Sequence, residues 1–106
     1  METGKGDAHV PVLGHEIIAF LNPESGGIYV DGTLGLGGHA IRILEACGPG
    51  GMVIGLEWDE EALLLARKRL EPFGRRMRIV RVNYAELAGV LRQEGVMEIN
   101  GMVLDL

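Results

Sequence analysis

Residues 28–40 read Ile28-Tyr29-Val30-Asp31-Gly32-Thr33-Leu34-Gly35-Leu36-Gly37-Gly38-His39-Ala40. Three largely apolar residues closed by a carboxylate, Ile28 to Asp31, read as a short strand. Gly32 to Gly38 reads as a glycine-rich loop. Within it Gly35-Leu36-Gly37-Gly38-His39-Ala40 matches G-x-G-x-x-G/A, whose side-chain-free positions let a ligand approach the backbone. Ala40, Ile41, Leu44 and Cys47 then recur at helical spacing, which predicts a helix over His39–Cys47. A strand, a glycine loop and a helix in direct succession are the opening unit of a doubly wound α/β sheet.

The pattern repeats downstream. Gly48-Pro49-Gly50-Gly51 stops the first helix, and Met52 to Glu57 is a second strand, apolar through Leu56 as in a sheet covered on both faces. Asp59 suits the cap of the next helix, with Glu60 and Glu61 in its first turn and Arg67, Lys68 and Arg69 in its last, as the helix dipole favours. Pro72 and Gly74 close it. Met77–Val82 is a third strand, Glu86–Gln93 a short helix and Gly101–Asp105 a fourth strand. This alternation implies right-handed crossovers and a parallel sheet of order 3-2-1-4. Ligands in such sheets sit at the carboxyl ends of strands 1 and 4, where the order switches. Upstream, residues 1–22 form a separate stretch. It holds a loose tail, the extended piece His9–Leu13 and a short helix over Glu16–Leu21 that Asn22-Pro23 stops. Residues 23–106 hold the α/β unit.

Bulk properties bound the rest. The chain has 106 residues, enough for one domain, and 47% of them are hydrophobic, which argues against disorder. No apolar run approaches the ~18 residues of a membrane span. The start, Met1 to Asp7, has no apolar core of a signal peptide, so a cytoplasmic protein without membrane contact is expected. The single cysteine, Cys47, excludes an internal disulfide framework. His9, His15 and His39 have no cysteine pair and irregular spacing, so no metal site is expected. The net charge of −5 is unusual for a nucleic-acid partner. Yet Arg67, Lys68, Arg69, Arg75, Arg76, Arg78 and Arg81 cluster, either as a solvated helix end and turn or as an RNA-facing edge.

Each strand closes on a polar residue: Asp31, Glu57, Asn83 or Asp105. Glu57 lies 20 residues beyond Gly37, where a carboxylate accepts hydrogen bonds from a ribose diol. A nucleoside ligand follows, and two cofactors compete. A dinucleotide would set its pyrophosphate at the helix start, close to Asp31, which is unfavourable for two anions. S-adenosyl-L-methionine carries an ammonium and a sulfonium, which Asp31 would attract. Gly32-Thr33-Leu34 also displace the glycines from the strand end, unlike a dinucleotide fingerprint. Asn83-Tyr84 offers an amide for an adenine edge and a ring for stacking, although Tyr84 also suits plain edge packing.

The pieces His9–Leu13, Tyr29–His39, Gly55-Leu56-Glu57-Trp58-Asp59 and Val103–Leu106 together resemble the bacterial small-subunit (16S) ribosomal RNA cytosine-N4 methyltransferases. The resemblance runs from residue 9 to the end, in order and in spacing. It implies a Rossmann-like class I methyltransferase fold, here incomplete. In the family a loop, an inserted helical domain and further strands follow. The family's cofactor positions fall on Gly37, Gly38, His39, Glu57, Tyr84 and Asp105, to which the residue reading adds Asp31 and Gly35. Three positions depart from the family: Glu57 stands where Asp is usual, Trp58 where Arg is common, and Tyr84 where Phe is usual.

The resemblance implies direct methyl transfer to the exocyclic amine of a cytidine in small-subunit ribosomal RNA. Asp105 is then either the acceptor of the amine's protons, the one catalytic candidate, or a cofactor contact only. The RNA surface is expected mainly in the absent region, and the 106-residue chain alone is expected not to methylate RNA. Met102-Val103-Leu104 is expected to form an apolar edge prone to self-association. A dinucleotide-dependent oxidoreductase and a non-catalytic nucleoside-binding fragment are the alternatives.

Overall fold

The computed structural model describes residues 26–105. The expected tail, the helix at Glu16–Leu21, His9, His15 and Leu106 lie outside the described residues. The remainder is β1 (Ile28–Asp31), α1 (Gly38–Cys47), β2 (Met52–Leu56), α2 (Glu60–Leu70), β3 (Met77–Val80), α3 (Leu87–Glu94) and β4 (Gly101–Val103). Short 3-10 turns at Glu71–Arg76 and Tyr84–Glu86 precede β3 and α3. All pairings are parallel and the order is β3-β2-β1-β4, as the alternation implies. Among the described residues no helix is long and apolar enough to cross a membrane.

The sheet is covered on both faces. Tyr29, Val53 and Val103 pack with Ala40, Ile43 and Leu44 of α1 and Ala66 and Leu70 of α2. Val30, Ile54 and Leu56 pack with Val90 of α3. The handedness of the crossovers explains this division. The chain moves one way from β1 to β3 and then reverses to reach β4, so right-handed connections place α1 and α2 on one face and α3 on the other. Asp59 caps α2 by accepting from Ala62 N at 2.9 Å, with the acidic and basic turns where the dipole places them.

Three expected strands run past those observed, β2 by one residue and β3 and β4 by two, and one helix cap differs. β2 ends at Leu56, which pairs with Val80, so residues beyond Val80 have no ladder partner and β3 stops there rather than at Val82. β4 stops at Val103 rather than Asp105, because β1 ends opposite it at Asp31 and the next free amide, Asp105 N, turns to Thr33 Oγ1 at 2.7 Å. Gly48 ends α1 in an extended conformation, not the left-handed one of a glycine C-cap. The Arg76 guanidinium supplies the missing closure by donating to the carbonyls of Leu44 and Gly51.

Candidate cofactor-binding site

The switch in strand order opens the carboxyl edge between β1 and β4, and the expected polar residues collect there. Asp31 ends β1 and is fully buried. Its Oδ1 accepts from Thr33 N at 3.1 Å, whereas Oδ2 is buried with no hydrogen-bond partner. Burial pushes its carboxyl up from 3.8 to about 6; the Thr33 amide and His39 lower it, and Asp105 and Glu57 raise it. A buried carboxylate oxygen without a partner is costly, and a cation is the ligand chemistry that would relieve it.

Glu57 follows β2 and clasps the loop. One oxygen accepts from Gly35 N at 2.8 Å and the other from Asp59 N at 2.9 Å. The same carboxylate therefore holds the glycine loop and the start of α2. Asp105, beyond β4, is fixed through its amide by Thr33 and lies 3.3 Å from His39 Nε2 at the start of α1. Asn83 and Tyr84 follow β3. The Asn83 side-chain oxygen is spent on Ala85 N, which caps the 3-10 turn, so its NH2 is the part left for a ligand.

The three sequence-predicted glycines of the loop differ in role. Gly37 has φ +92°, a left-handed conformation, and a Cβ there would lie 2.9 Å from Leu70 Cδ1. Backbone shape and helix packing require glycine at that position. Gly38 has open space where its Cβ would stand, and so does the left-handed Gly35 apart from a 3.9 Å approach to the Thr33 carbonyl. The open approach to the loop is therefore at Gly38 and Gly35.

Two recesses flank the Asp31-Thr33 turn, and Thr33 lines both. The larger, about 580 Å³, is bounded by the glycine loop, His39, Arg42, Arg69 and Asp105. The smaller, about 160 Å³, is bounded by Glu57, Trp58, Asn83 and Tyr84. Thr33, whose amide donates to the buried Asp31, thus stands between a polar recess and an aromatic one. That geometry suits an elongated ligand with a charged tail and a planar head. Sequence reasoning passed over Thr33 as a site residue, and it noted Trp58 only as a departure. A tryptophan directly after Glu57, in a chain with five aromatic residues, was the available signal. Among the described residues no group of three or more His, Cys, Asp or Glu side chains could hold a metal ion.

Four of the seven cations of the basic cluster make structural contacts. Arg76 closes α1, Arg69 donates to Leu36 O at 3.1 Å, Arg78 pairs with Glu94 and Arg81 donates to Trp58 O at 2.9 Å.

Comparison with known proteins agrees with this architecture. A sheet of the same kind occurs in a SAM-dependent O-methyltransferase from Thermotoga maritima, which is 25% identical with a TM-score of 0.70 over 88% of this chain and 34% of that one. TrmN from Thermus thermophilus is 22% identical with a TM-score of 0.68 over 86% of this chain and 26% of that one, and shares the fold. Two proteins called ribosomal RNA small subunit methyltransferase H are similar in sequence. That of Syntrophus aciditrophicus (strain SB) is 50% identical over all of this chain and 34% of its own length. That of Geotalea uraniireducens (strain Rf4) is 50% identical over 92% of this chain and 31% of its own. The chain spans about a third of the length of these curated relatives. The model of the MraW methylase family matches residues 6–106, which includes the whole β3-β2-β1-β4 sheet and the glycine loop at its switch point. On that match, and on the resemblance already visible in its motifs, this chain belongs to the MraW methylase family.

Proposed function

We propose that this chain is the S-adenosyl-L-methionine-binding part of a methyltransferase that acts on the N4 amine of a cytidine in small-subunit ribosomal RNA. The observation that carries the cofactor is the buried, unpartnered Asp31 Oδ2, two residues before the Thr33 that lines both a polar and an aromatic recess. A pyrophosphate beside this oxygen would add like charge, whereas an ammonium or sulfonium would offset it. The residues fit the group in other respects. Glu57 has lone pairs left for a ribose diol, Tyr84 offers a ring face, and Gly38 and Gly35 leave the loop open to close approach. When bound, S-adenosyl-L-methionine supplies an electrophilic methyl group on a sulfonium.

The chain's own residues would then bind and orient. Asp31 neutralises cationic charge, and Glu57 holds the loop that frames the tail. Thr33 fixes Asp105, and His39 lies against its carboxylate. A cytosine amine is a weak nucleophile that sheds its proton as it becomes cationic, so a placed acceptor and alignment matter more than a strong base. Asp105 at the switch point is the candidate acceptor. We further propose that most of the RNA contacts lie outside these 106 residues, that the chain alone does not turn over RNA, and that the enzyme works in the cytoplasm.

Calorimetry with S-adenosylhomocysteine and NAD in parallel tests the cofactor. Binding of S-adenosylhomocysteine and none of NAD is expected, and the reverse would overturn the proposal. Tritium transfer from methyl-labelled S-adenosyl-L-methionine to small ribosomal subunits, followed by nucleoside analysis, tests the substrate. Label on any base other than cytidine would refute the specificity.

A further inference from the structure

Charge in this chain is segregated. Residues 67–81 carry seven of the ten Lys and Arg and one carboxylate, Glu71, whereas the rest of the chain carries three cations and fourteen carboxylates. A plain solvated face intersperses the two signs; a single-sign stretch in an acidic chain points to a polyanion partner. Four of the seven cations are committed to internal contacts, as described above. The other three are not. Arg67 and Lys68 in the last turn of α2, and Arg75 in the 3-10 turn after it, are exposed and make no hydrogen bond or ion pair among the described residues. The α2 dipole favours Arg67 and Lys68, but Arg75 lies beyond the helix and has no such reason to be there.

Arg67 and Arg78 both line a recess of about 250 Å³ beside β3, the outer strand of the described sheet. Arg78 is only partly spent. Its Nε pairs with Glu94 at 2.9 Å, and its two terminal nitrogens make no hydrogen bond among the described residues. Gly74 lines the same recess with open space where its Cβ would stand, so a ligand can approach the main chain there. Glu71 is the one carboxylate on the rim. The recess shares no residue with the two at the carboxyl edge of the sheet.

We infer that this corner between α2 and β3 is a docking surface for the phosphate backbone of RNA, with Arg67, Lys68, Arg75 and Arg78 as its contacts. The inference rests on the ribosomal RNA reading above and deepens it, by giving this chain its own share of the RNA contacts, apart from the cofactor site. Three of the four contacts are arginines, whose planar fork matches a phosphate with two parallel hydrogen bonds. No aromatic side chain lines the recess, so nothing there stacks on a base, and the surface binds without regard to sequence.

Fluorescence anisotropy of a labelled single-stranded RNA oligonucleotide, titrated with the 106-residue chain at several salt concentrations, tests the surface. Arg67→Gln, Lys68→Gln and Arg75→Gln together are expected to make the slope of log K against log salt shallower by about 2, roughly 0.7 for each phosphate contact removed. Arg67→Lys with Arg75→Lys is expected to keep the wild-type slope, because the charges remain. Arg92→Gln, which removes an exposed cation from the last turn of α3, is expected to change nothing. Circular dichroism and S-adenosylhomocysteine affinity are expected to be the same in every variant. An unchanged slope in the triple variant, an equal change in Arg92→Gln, or no RNA binding by a chain that binds S-adenosylhomocysteine would overturn the inference. Tighter binding of polyglutamate than of RNA would overturn it in favour of an acidic protein partner. RNA binding that depends on these cations, with ribosomal RNA left unlabelled in the tritium assay, would instead overturn the ribosomal substrate and leave the phosphate surface standing.

Discussion

Asp31→Asn separates the cost of the buried carboxylate from its use. The side chain is fully buried, one oxygen has no partner, and burial pushes its pKa from 3.8 to about 6. At 1.36 kcal/mol per pH unit this interval corresponds to roughly 3 kcal/mol. The sign follows from counting protons. Between about pH 4 and 6 the folded chain retains a proton that the unfolded chain has released. Stability therefore falls as pH rises through that window and levels off above about pH 6. His39, Asp105 and Glu57 are the ionisable groups acting on Asp31, and all three remain in the variant. Asparagine keeps an acceptor for Thr33 N and adds a buried NH2, whose desolvation offsets about 1–3 kcal/mol of any gain at neutral pH. The slope is thus the clean readout. Urea denaturation at pH 4, 5, 6 and 7 should show wild type losing about 2.4 kcal/mol more than Asp31→Asn between pH 4 and 7. In calorimetry at pH 7 the variant should bind S-adenosylhomocysteine, which carries an ammonium group, about 1.5–3 kcal/mol more weakly. Identical pH slopes would show that Asp31 is not a buried titrating group. Identical affinities would show that it does not face the ligand.

Four other perturbations have defined outcomes. Glu57→Ala frees the amides of Gly35 and Asp59, so cofactor affinity should drop by about 1–3 kcal/mol in calorimetry, with a smaller loss in melting temperature because the site is partly exposed. Gly38→Val should weaken ligand binding with little change in thermal stability, whereas Gly37→Val should lower the melting temperature first, through the left-handed backbone and Leu70; the opposite ranking would exchange their roles. Arg76→Ala removes donors to Leu44 and Gly51 and the Phe73 contact, and should cost about 2 kcal/mol in urea denaturation with ligand affinity unchanged. In the 106-residue chain β4 is an edge strand, so concentration-dependent self-association is expected in sedimentation, and Met102→Lys should suppress it.

Much of this molecule was legible before folding. Apolar runs of strand length, helical spacing and glycine stops predict each described strand and helix to within a few residues. The sheet order follows from the doubly wound pattern, in which the fourth strand returns to the far side of the first. Asp31, Glu57 and Asp105 were legible as an edge because every parallel strand delivers its last residue to the same side. Pairwise commitments between distant residues were not legible. Nothing local to Glu57 says that Gly35, 22 residues earlier, would occupy one of its oxygens, or that Arg76 would reach back 32 residues to Leu44. The basic cluster reads as a solvated or RNA-facing surface in one dimension, and in three Arg69, Arg76, Arg78 and Arg81 of it serve as clasps. Gly37 and Gly38 look equivalent in a motif, yet only the packing of α2 places Leu70 against the first and leaves the second open. Periodicity reports which face a residue turns inward, because that depends on its own backbone. Which partner it meets depends on where other elements end, and only the tertiary structure decides that.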